Sequence, residues 1–324
     1  MKKHTKTMLI ASGIAAASAT VLVTLHQLTA RGFMKIALDR EEPKLLTRGR
    51  SKLMGSEELS KCMSMLIDGA EKLRAKDTEE VEITSHDGLT LKGHWYPCKN
   101  PKRVLVAMHG WRSSWARDFG IISDFLHKND CSVLFAEQRA QGGSGGDYMG
   151  FGTLERHDCL RWAQWAEEKT EGKLPVYLIG VSMGATTVMM STALELPKSV
   201  RGVVADCGFT SPHAIWKHVA ENNLRIPFGI YSAVANDIFK ERLQVGSREL
   251  SCAQALENSK VPVLFVHGTD DQFVPIQMTF ENYKACKAEK ELFIVPGADH
   301  GMSYVVDKEG YEKKILDFFR KHDE

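Results

Sequence analysis

The sequence predicts a doubly wound α/β domain, with a mostly parallel sheet covered by helices on both faces, a starting antiparallel hairpin and a small helical lid. Three observations predict it. Residues 104–108, 133–136, 176–179, 200–205, 261–266 and 292–295 are continuous apolar runs. Strands without polar alternation are covered on both faces, as in a parallel sheet. Helix-period stretches lie between these runs, so strand alternates with helix. One run then ends in Gly180-Val181-Ser182-Met183-Gly184 and flows into a helix-compatible segment, giving the order strand, sharp turn, helix.

The chain begins with Lys2, Lys3 and Lys6, and residues 7–30 contain no Asp, Glu, Lys or Arg. At ~1.5 Å per residue such a helix reaches the ~30 Å of a bilayer core. A cleaved signal peptide is the alternative, with Ala17-Ser18-Ala19 as a small-residue cleavage site, but the apolar run continues through Val21-Leu22-Val23 and favours an uncleaved single anchor. Arg31, Lys35, Arg40, Lys44, Arg48, Arg50 and Lys52 follow it. This flank favours a cytoplasmic body, although long domains also translocate despite such charges. Residues 31–78 read as a polar helical connector, broken by Pro43 and Gly55, with Leu59, Met63, Leu66 and Ile67 at helical spacing. It is expected to pack outside the body and to carry no chemistry.

The body, residues 79–324, opens with alternating runs at 81–84 and 89–96 around Asp87-Gly88, an antiparallel hairpin. Among the helices that follow, Cys159, Trp162, Ala163 and Ala166 share one face. Ile276, Phe280 and Tyr283 are expected to face inward, as are Tyr311, Ile315, Phe318 and Phe319 in the last helix. Residues from 209 to about 258 interrupt the alternation and are too long for a plain connection. They carry Trp216, Leu224, Ile226, Phe228, Ile230, Tyr231 and Phe239, which suits a helical lid over the strand ends with an apolar underside.

Composition excludes several classes. A net charge of +1 with 26 % charged residues offers no basic surface for nucleic acid. The seven cysteines (Cys62, Cys98, Cys131, Cys159, Cys207, Cys252 and Cys286) never form C-x-x-C and read as free thiols. No H-E-x-x-H, carboxylate cluster or phosphate-binding glycine loop calls for a metal, nucleotide or other cofactor.

The remaining motifs carry chemistry. A serine hydroxyl is a poor nucleophile at neutral pH and needs a base, a group that orients the base, and donors for an oxyanion. Ser182 sits in the strand-to-helix turn, and the Met183 amide just after it is one donor. His109-Gly110-Trp111 follows an earlier strand, and its turn can present the Trp111 amide as the second; His109 itself reads as structural. After 261–266 comes His267-Gly268-Thr269-Asp270-Asp271, and after 292–295 comes Pro296-Gly297-Ala298-Asp299-His300. An acid and a histidine thus follow the serine at successive strand ends, in the order Ser, Asp, His. Asp206, at another strand end, is a rival orienting acid, and Cys207 a rival nucleophile that lacks the sharp turn.

From about residue 80 to its end the chain resembles the α/β-hydrolase superfamily, most of all its serine-aminopeptidase and prolyl-oligopeptidase-like members with a small lid. The matching pieces are His109-Gly110-Trp111, Arg139 with Gly142-Gly143-Ser144, Gly180-Val181-Ser182-Met183-Gly184, His267-Gly268 with Asp271, Val274 and Pro275, and His300-Gly301. The resemblance implies Ser182 as nucleophile, His300 as base, Asp271 as orienting acid, and the Trp111 and Met183 amides as oxyanion hole. One loop departs from the family pattern Asp-x-Arg-Gly-x-Gly-x-Ser: Glu137 and Ala140 stand where Asp and Gly are usual. The expected activity is hydrolysis of a carboxylic ester or thioester through an acyl-enzyme, on a small molecule or a short peptide. Peptidase or acyltransferase chemistry on the same residues, or a non-catalytic binding protein on the scaffold, are the alternatives.

Overall fold

The strands are β1 (Glu79–Thr84), β2 (Thr90–Tyr96), β3 (Arg103–Met108), β4 (Cys131–Ala136), β5 (Val176–Val181), β6 (Val200–Asp206), β7 (Val263–Gly268) and β8 (Lys290–Val295). They form one sheet in the order β1-β2-β4-β3-β5-β6-β7-β8. The β1-β2 and β2-β4 pairs are antiparallel and all the others parallel, so the expected hairpin leads into the expected parallel sheet. The computed structural model describes residues 24–41 and 57–323.

Every residue of β3, β4 and β7 is buried, which explains the apolar runs at 104–108, 133–136 and 261–266 within or beside them. The run at 292–295 differs. It belongs to the edge strand β8, which has β7 as its one neighbour among the described strands and where only Val295 is buried. On one face of the sheet, Cys159, Trp162, Ala163 and Ala166 of the helix Glu155–Lys169 pack with Val188 and Met189 of the helix Met183–Ser191. On the other face lie the helices Glu57–Arg74, Trp115–Lys128 and Lys308–His322, the last contributing Tyr311, Ile315, Phe318 and Phe319.

Two helical faces depart from expectation. In Ile276–Ala285 the buried residues are Met278, Thr279 and Asn282, and Phe280 is 45 % exposed. The turn is set by Thr279, whose hydroxyl lies 2.7 Å from Nδ1 of the buried His267. In Glu57–Arg74 the inward face is Leu66, Ala70 and Leu73, and Ile67 is exposed.

The insert between β6 and β7 contains the helices Pro212–His218, Ser232–Leu243 and Cys252–Glu257, with a π turn at Val219–Asn223 and a 3-10 turn at Phe228–Ile230. Its Trp216, Phe228 and Phe239 are buried in a third core cluster at the strand ends. That cluster is completed from outside the body. Residues 24–38 are helical, and their Met34 and Leu38 pack with Phe209, Trp216 and Phe239. The segment after residue 31 therefore does not sit apart from the site, as the sequence reading expected of it. Of the anchor expected over 7–30, residues 7–23 lie outside the described residues, and Ala30 is 2 % exposed against the body. Among the described residues no helix is long and apolar enough to cross a membrane.

Candidate active site

Four strand ends converge here: β3 leads to Trp111, β5 to Ser182, β7 to Asp271 and β8 to His300, at the carboxyl edge where doubly wound sheets place their ligands. Ser182 has φ 56° and ψ −118°, a backbone region costly for a residue with a side chain. It is held there because Ser182 N–H donates to the Asp206 carbonyl at 2.8 Å and its own carbonyl accepts from Thr186 N–H at 3.0 Å. The two glycines permit the tight crossing. A Cβ on Gly184 would overlap the Met108 carbonyl, and one on Gly180 would overlap the Gly184 backbone. Met183 opens the helix Met183–Ser191, so its amide has no carbonyl one turn back to donate to.

His300 stands between the serine and the acid. Its Nδ1 is 2.7 Å from Asp271 Oδ2, and its Nε2 is 2.9 Å from Ser182 Oγ. An ionised carboxylate only accepts, so Nδ1–H donates to Asp271 and Nε2 is left to accept the serine hydroxyl proton. The Asp271 side chain is fully buried. Burial by itself would raise its pKa, but contacts from His267 and His300 and the Val274 amide outweigh this and hold it well below the usual carboxylate range. Its Oδ1 accepts from the Phe273 and Val274 amides at 2.9 and 2.8 Å. The neighbouring His267 gives Nε2–H to the Val274 carbonyl at 2.8 Å, bracing the same turn. The spacing His267-Gly268-x-x-Asp271-x-x-Val274-Pro275 is thus one hydrogen-bonded turn built to present a single oxygen.

The rivals are placed elsewhere. Asp270 is exposed and bonds the Thr269 hydroxyl. The Asp206 carboxylate is buried, its pKa raised by burial, and it accepts from the Ser303 and Tyr311 hydroxyls at 3.2 and 3.1 Å. Cys207 is buried and burial pushes its thiol pKa well up, which suppresses the thiolate. His109 is structural: Nδ1 lies 2.8 Å from the Gly110 carbonyl and Nε2 accepts the Gln138 N–H at 3.2 Å. Gln138 in turn accepts from the Thr187 hydroxyl at 3.1 Å, joining the turns after β3 and β4 to the helix behind Ser182.

Ser182 lines two cavities. The larger, about 270 Å³, carries polar groups including Arg112, Ser113, Arg117 and Asp118 beside His300. The smaller, about 160 Å³, is apolar and runs beneath Trp216, Phe228 and Leu224 of the insert.

The profile of the prolyl oligopeptidase family matches residues 118–323. This chain belongs to the prolyl oligopeptidase family. Relatives include the uncharacterized protein YqkD of Bacillus subtilis, 26 % identical over 237 residues, which are 73 % of this chain and 77 % of that protein. The uncharacterized protein YfhR of Escherichia coli K12 is 22 % identical over 250 residues, 74 % of this chain and 80 % of its own. Among solved structures, the esterase Pf2001 of Pyrococcus furiosus superposes with TM-score 0.61 at 25 % identity, over 76 % of this chain and 94 % of its own. The α/β-hydrolase GrgF of a Penicillium species gives 0.58 at 19 % identity, over 76 % and 99 %. The fold is the α/β-hydrolase fold, and the chain is a hydrolase of that class.

In this prolyl oligopeptidase family chain the departing loop after β4 is accommodated locally. The Glu137 carboxylate accepts from the Gly143 amide and lies 2.9 Å from His94 Nε2, and Ala140 takes the left-handed φ of 57° that glycine usually fills. Arg139 is buried in two-oxygen pairs with Asp158 and Asp87. What the sequence reading missed is the placement of the helix at 24–38, which lies before the matched stretch and lines the apolar cavity with Ala30, Phe33, Met34 and Ala37. The signal was present: Ala30, Met34 and Leu38, with Phe33 and Ala37 beside them, repeat at helical spacing.

Proposed function

We propose that this protein is a serine hydrolase that cleaves carboxylic esters or thioesters with apolar acyl groups through an acyl-enzyme. Ser182 Oγ attacks the carbonyl carbon as its proton passes to His300 Nε2. Asp271 holds the imidazole in the accepting tautomer and stabilises the imidazolium. The Trp111 and Met183 amides receive the oxyanion. The imidazolium then protonates the departing alkoxide or thiolate. Water, deprotonated by His300, attacks the acyl carbon, and collapse returns the proton to Ser182 and releases the acid.

The observation that carries this reading is the continuous bond path from buried Asp271 through His300 to Ser182 at the floor of an apolar cavity. Ester chemistry is preferred over exopeptidase chemistry because an α-ammonium needs a carboxylate. Among the described residues none lines the apolar cavity; of the two in the larger one, Asp118 already accepts from the Gly110 amide and the Ser113 hydroxyl, and Asp206 from the Ser303 and Tyr311 hydroxyls. The charge-free run of residues 7–30 supports attachment to a membrane through the part that precedes the buried Ala30.

The test is labelling with a fluorophosphonate, followed by p-nitrophenyl esters of increasing chain length beside aminoacyl amides. Labelling lost in Ser182→Ala, with esters cleaved in preference to amides, is the expected result. Amide preference would move the assignment to a peptidase, and an unlabelled, inactive chain would favour a binding protein.

A further inference from the structure

We propose that the helix at residues 24–38 is the acyl-chain wall of this site, and that Phe33, Met34 and Ala37 set which linear aliphatic acyl groups reach Ser182. The assignment deepens the ester-hydrolase reading and rests on Ser182 as its nucleophile. The apolar cavity of about 160 Å³ is bounded by these three residues, by Trp216 and Phe228 of the insert, and by Ser182 itself. Apart from the Ser182 hydroxyl and the ring edges of Trp111, Trp216 and Tyr231, its lining side chains are hydrocarbon or thioether, so what it accepts best is a chain of methylenes leaving water. The larger cavity, with Arg112, Ser113 and Arg117, suits the more polar leaving group.

The helix is bound into the site at both ends. Its last carbonyls have no intrahelical donors, and the residues of the turn after β3 supply them. The Trp111 indole N–H donates to the Ala37 carbonyl at 2.8 Å, and the Arg112 guanidinium donates to the carbonyls of Ile36 at 2.8 Å and Asp39 at 2.7 Å. A cation at a helix carboxyl end is also favoured by the helix dipole. Asp39 pairs with Arg242 of the insert, and Arg40 donates to the Gly142 carbonyl at 2.6 Å in the loop after β4. Near its other end His26 stacks on Tyr231 of the insert at 4.6 Å. One short helix therefore ties the oxyanion turn, the insert and the β4 loop around one cavity. A segment that served only as a tether would have no reason to meet all three.

The experiment compares acyl-length selectivity in the full chain, in Ala37→Leu, which adds bulk to the cavity, and in Phe33→Ala, which removes it. The measured quantity is the ratio of kcat/KM for p-nitrophenyl octanoate to that for p-nitrophenyl acetate, with folding checked by thermal melting. Ala37→Leu should lower the ratio by about tenfold, the scale set by one or two misplaced methylenes in an apolar pocket. Phe33→Ala should move the preferred length toward decanoate and dodecanoate. The same ratio is read from inactivation rates with ethyl and octyl fluorophosphonates, which needs no ester turnover. Ratios unchanged in both folded variants would overturn the assignment while leaving the hydrolase reading intact. Absence of both turnover and labelling in the unaltered chain would sink the hydrolase reading and this assignment with it.

Discussion

Asp271 Oδ2 lies 2.7 Å from His300 Nδ1, and the carboxylate that makes this bond is fully buried while Asp270 beside it faces solvent. The two aspartates should therefore behave differently. Asp271→Asn keeps the size but offers a donor where an acceptor is needed, and in a Ser-His-Asp protease such a change lowers kcat by roughly 10⁴-fold. Asp270→Asn should change kcat by less than about tenfold and stability little. Asp206→Asn should be the milder of the buried changes for kcat, because its carboxylate is engaged by Ser303 and Tyr311. Ester kinetics on the three variants, with folding checked by circular dichroism, decide the matter. A severe loss in Asp206→Asn beside a mild one in Asp271→Asn would move the orienting acid to β6.

The backbone of Ser182 predicts a trade between stability and activity. Its φ of 56° and ψ of −118° mirror an ordinary extended residue, a region that glycine enters freely. Strain of this kind costs on the order of 1–3 kcal/mol, partly offset by the extra unfolded-state freedom of glycine. Ser182→Gly should thus abolish fluorophosphonate labelling and raise stability by about 1 kcal/mol, or Tm by a few degrees. Ser182→Ala should lose labelling with no such gain, since alanine keeps the Cβ. Equal melting temperatures for the two variants would mean that the turn stores no strain.

Much of the fold and of the site is legible in the sequence. The unbroken apolar runs of β3, β4 and β7 announce strands covered on both faces, and the order of the Ser182, Asp271 and His300 motifs follows their strand ends. The errors share a cause. Phe280 looks like a core residue by hydropathy, but the helix is rotated by the polar contact of Thr279 with His267, which periodicity of apolar residues does not report. The run at 292–295 cannot announce that it lies at a sheet edge, because edge or centre depends on strand order. In the sequence, residues 24–38 read as part of an anchor and a connector because charge, the strongest local signal there, dominates a weaker apolar stripe. That Trp111 and Arg112 cap its end is a contact across more than seventy residues of chain.

His109 predicts acid sensitivity. It is fully buried, burial holds its pKa below the ordinary histidine value, and Nε2 accepts from the Gln138 amide. Protonation would set two donors against each other. His157, pushed down to about 4 first by burial and then by Arg156, acts in the same direction. With folded-state pKa values lowered, the unfolded chain takes up these protons first. Stability is therefore fully present above the unfolded value near ~6.5 and is lost as pH falls from there toward the folded values. Melting temperatures should fall between about pH 7 and about pH 5, and fall less in His109→Gln, which keeps an acceptor without a titrating ring. An identical slope in the variant would exclude His109 as a contributor.

Two truncations separate attachment to a membrane from the formation of the site. Removing residues 1–23 leaves the helix at 24–38 and its bonds in place. It should release the protein from the membrane fraction with fold and ester hydrolysis kept, if the charge-free run is the attachment. Removing residues 1–41 takes away the carbonyls that satisfy Trp111 and Arg112 and the carboxylate that pairs Arg242. Each bond lost is worth about 1 kcal/mol. The buried Met34 and Leu38 side chains add about 1.5–3 kcal/mol apiece. The sum is several kcal/mol, so Tm should drop by about 10 °C or more. Hydrolysis of octanoate should suffer more than hydrolysis of acetate even at temperatures where the truncated protein remains folded, because the cavity has lost a wall. A protein lacking residues 1–41 that melts and cleaves both esters like the longer form would reduce the helix to a tether. A form lacking only residues 1–23 that stays in the membrane fraction would show that attachment resides elsewhere, and the exposed Leu25, Leu28, Leu224 and Ile230 of the helix and the insert would be the next residues to replace.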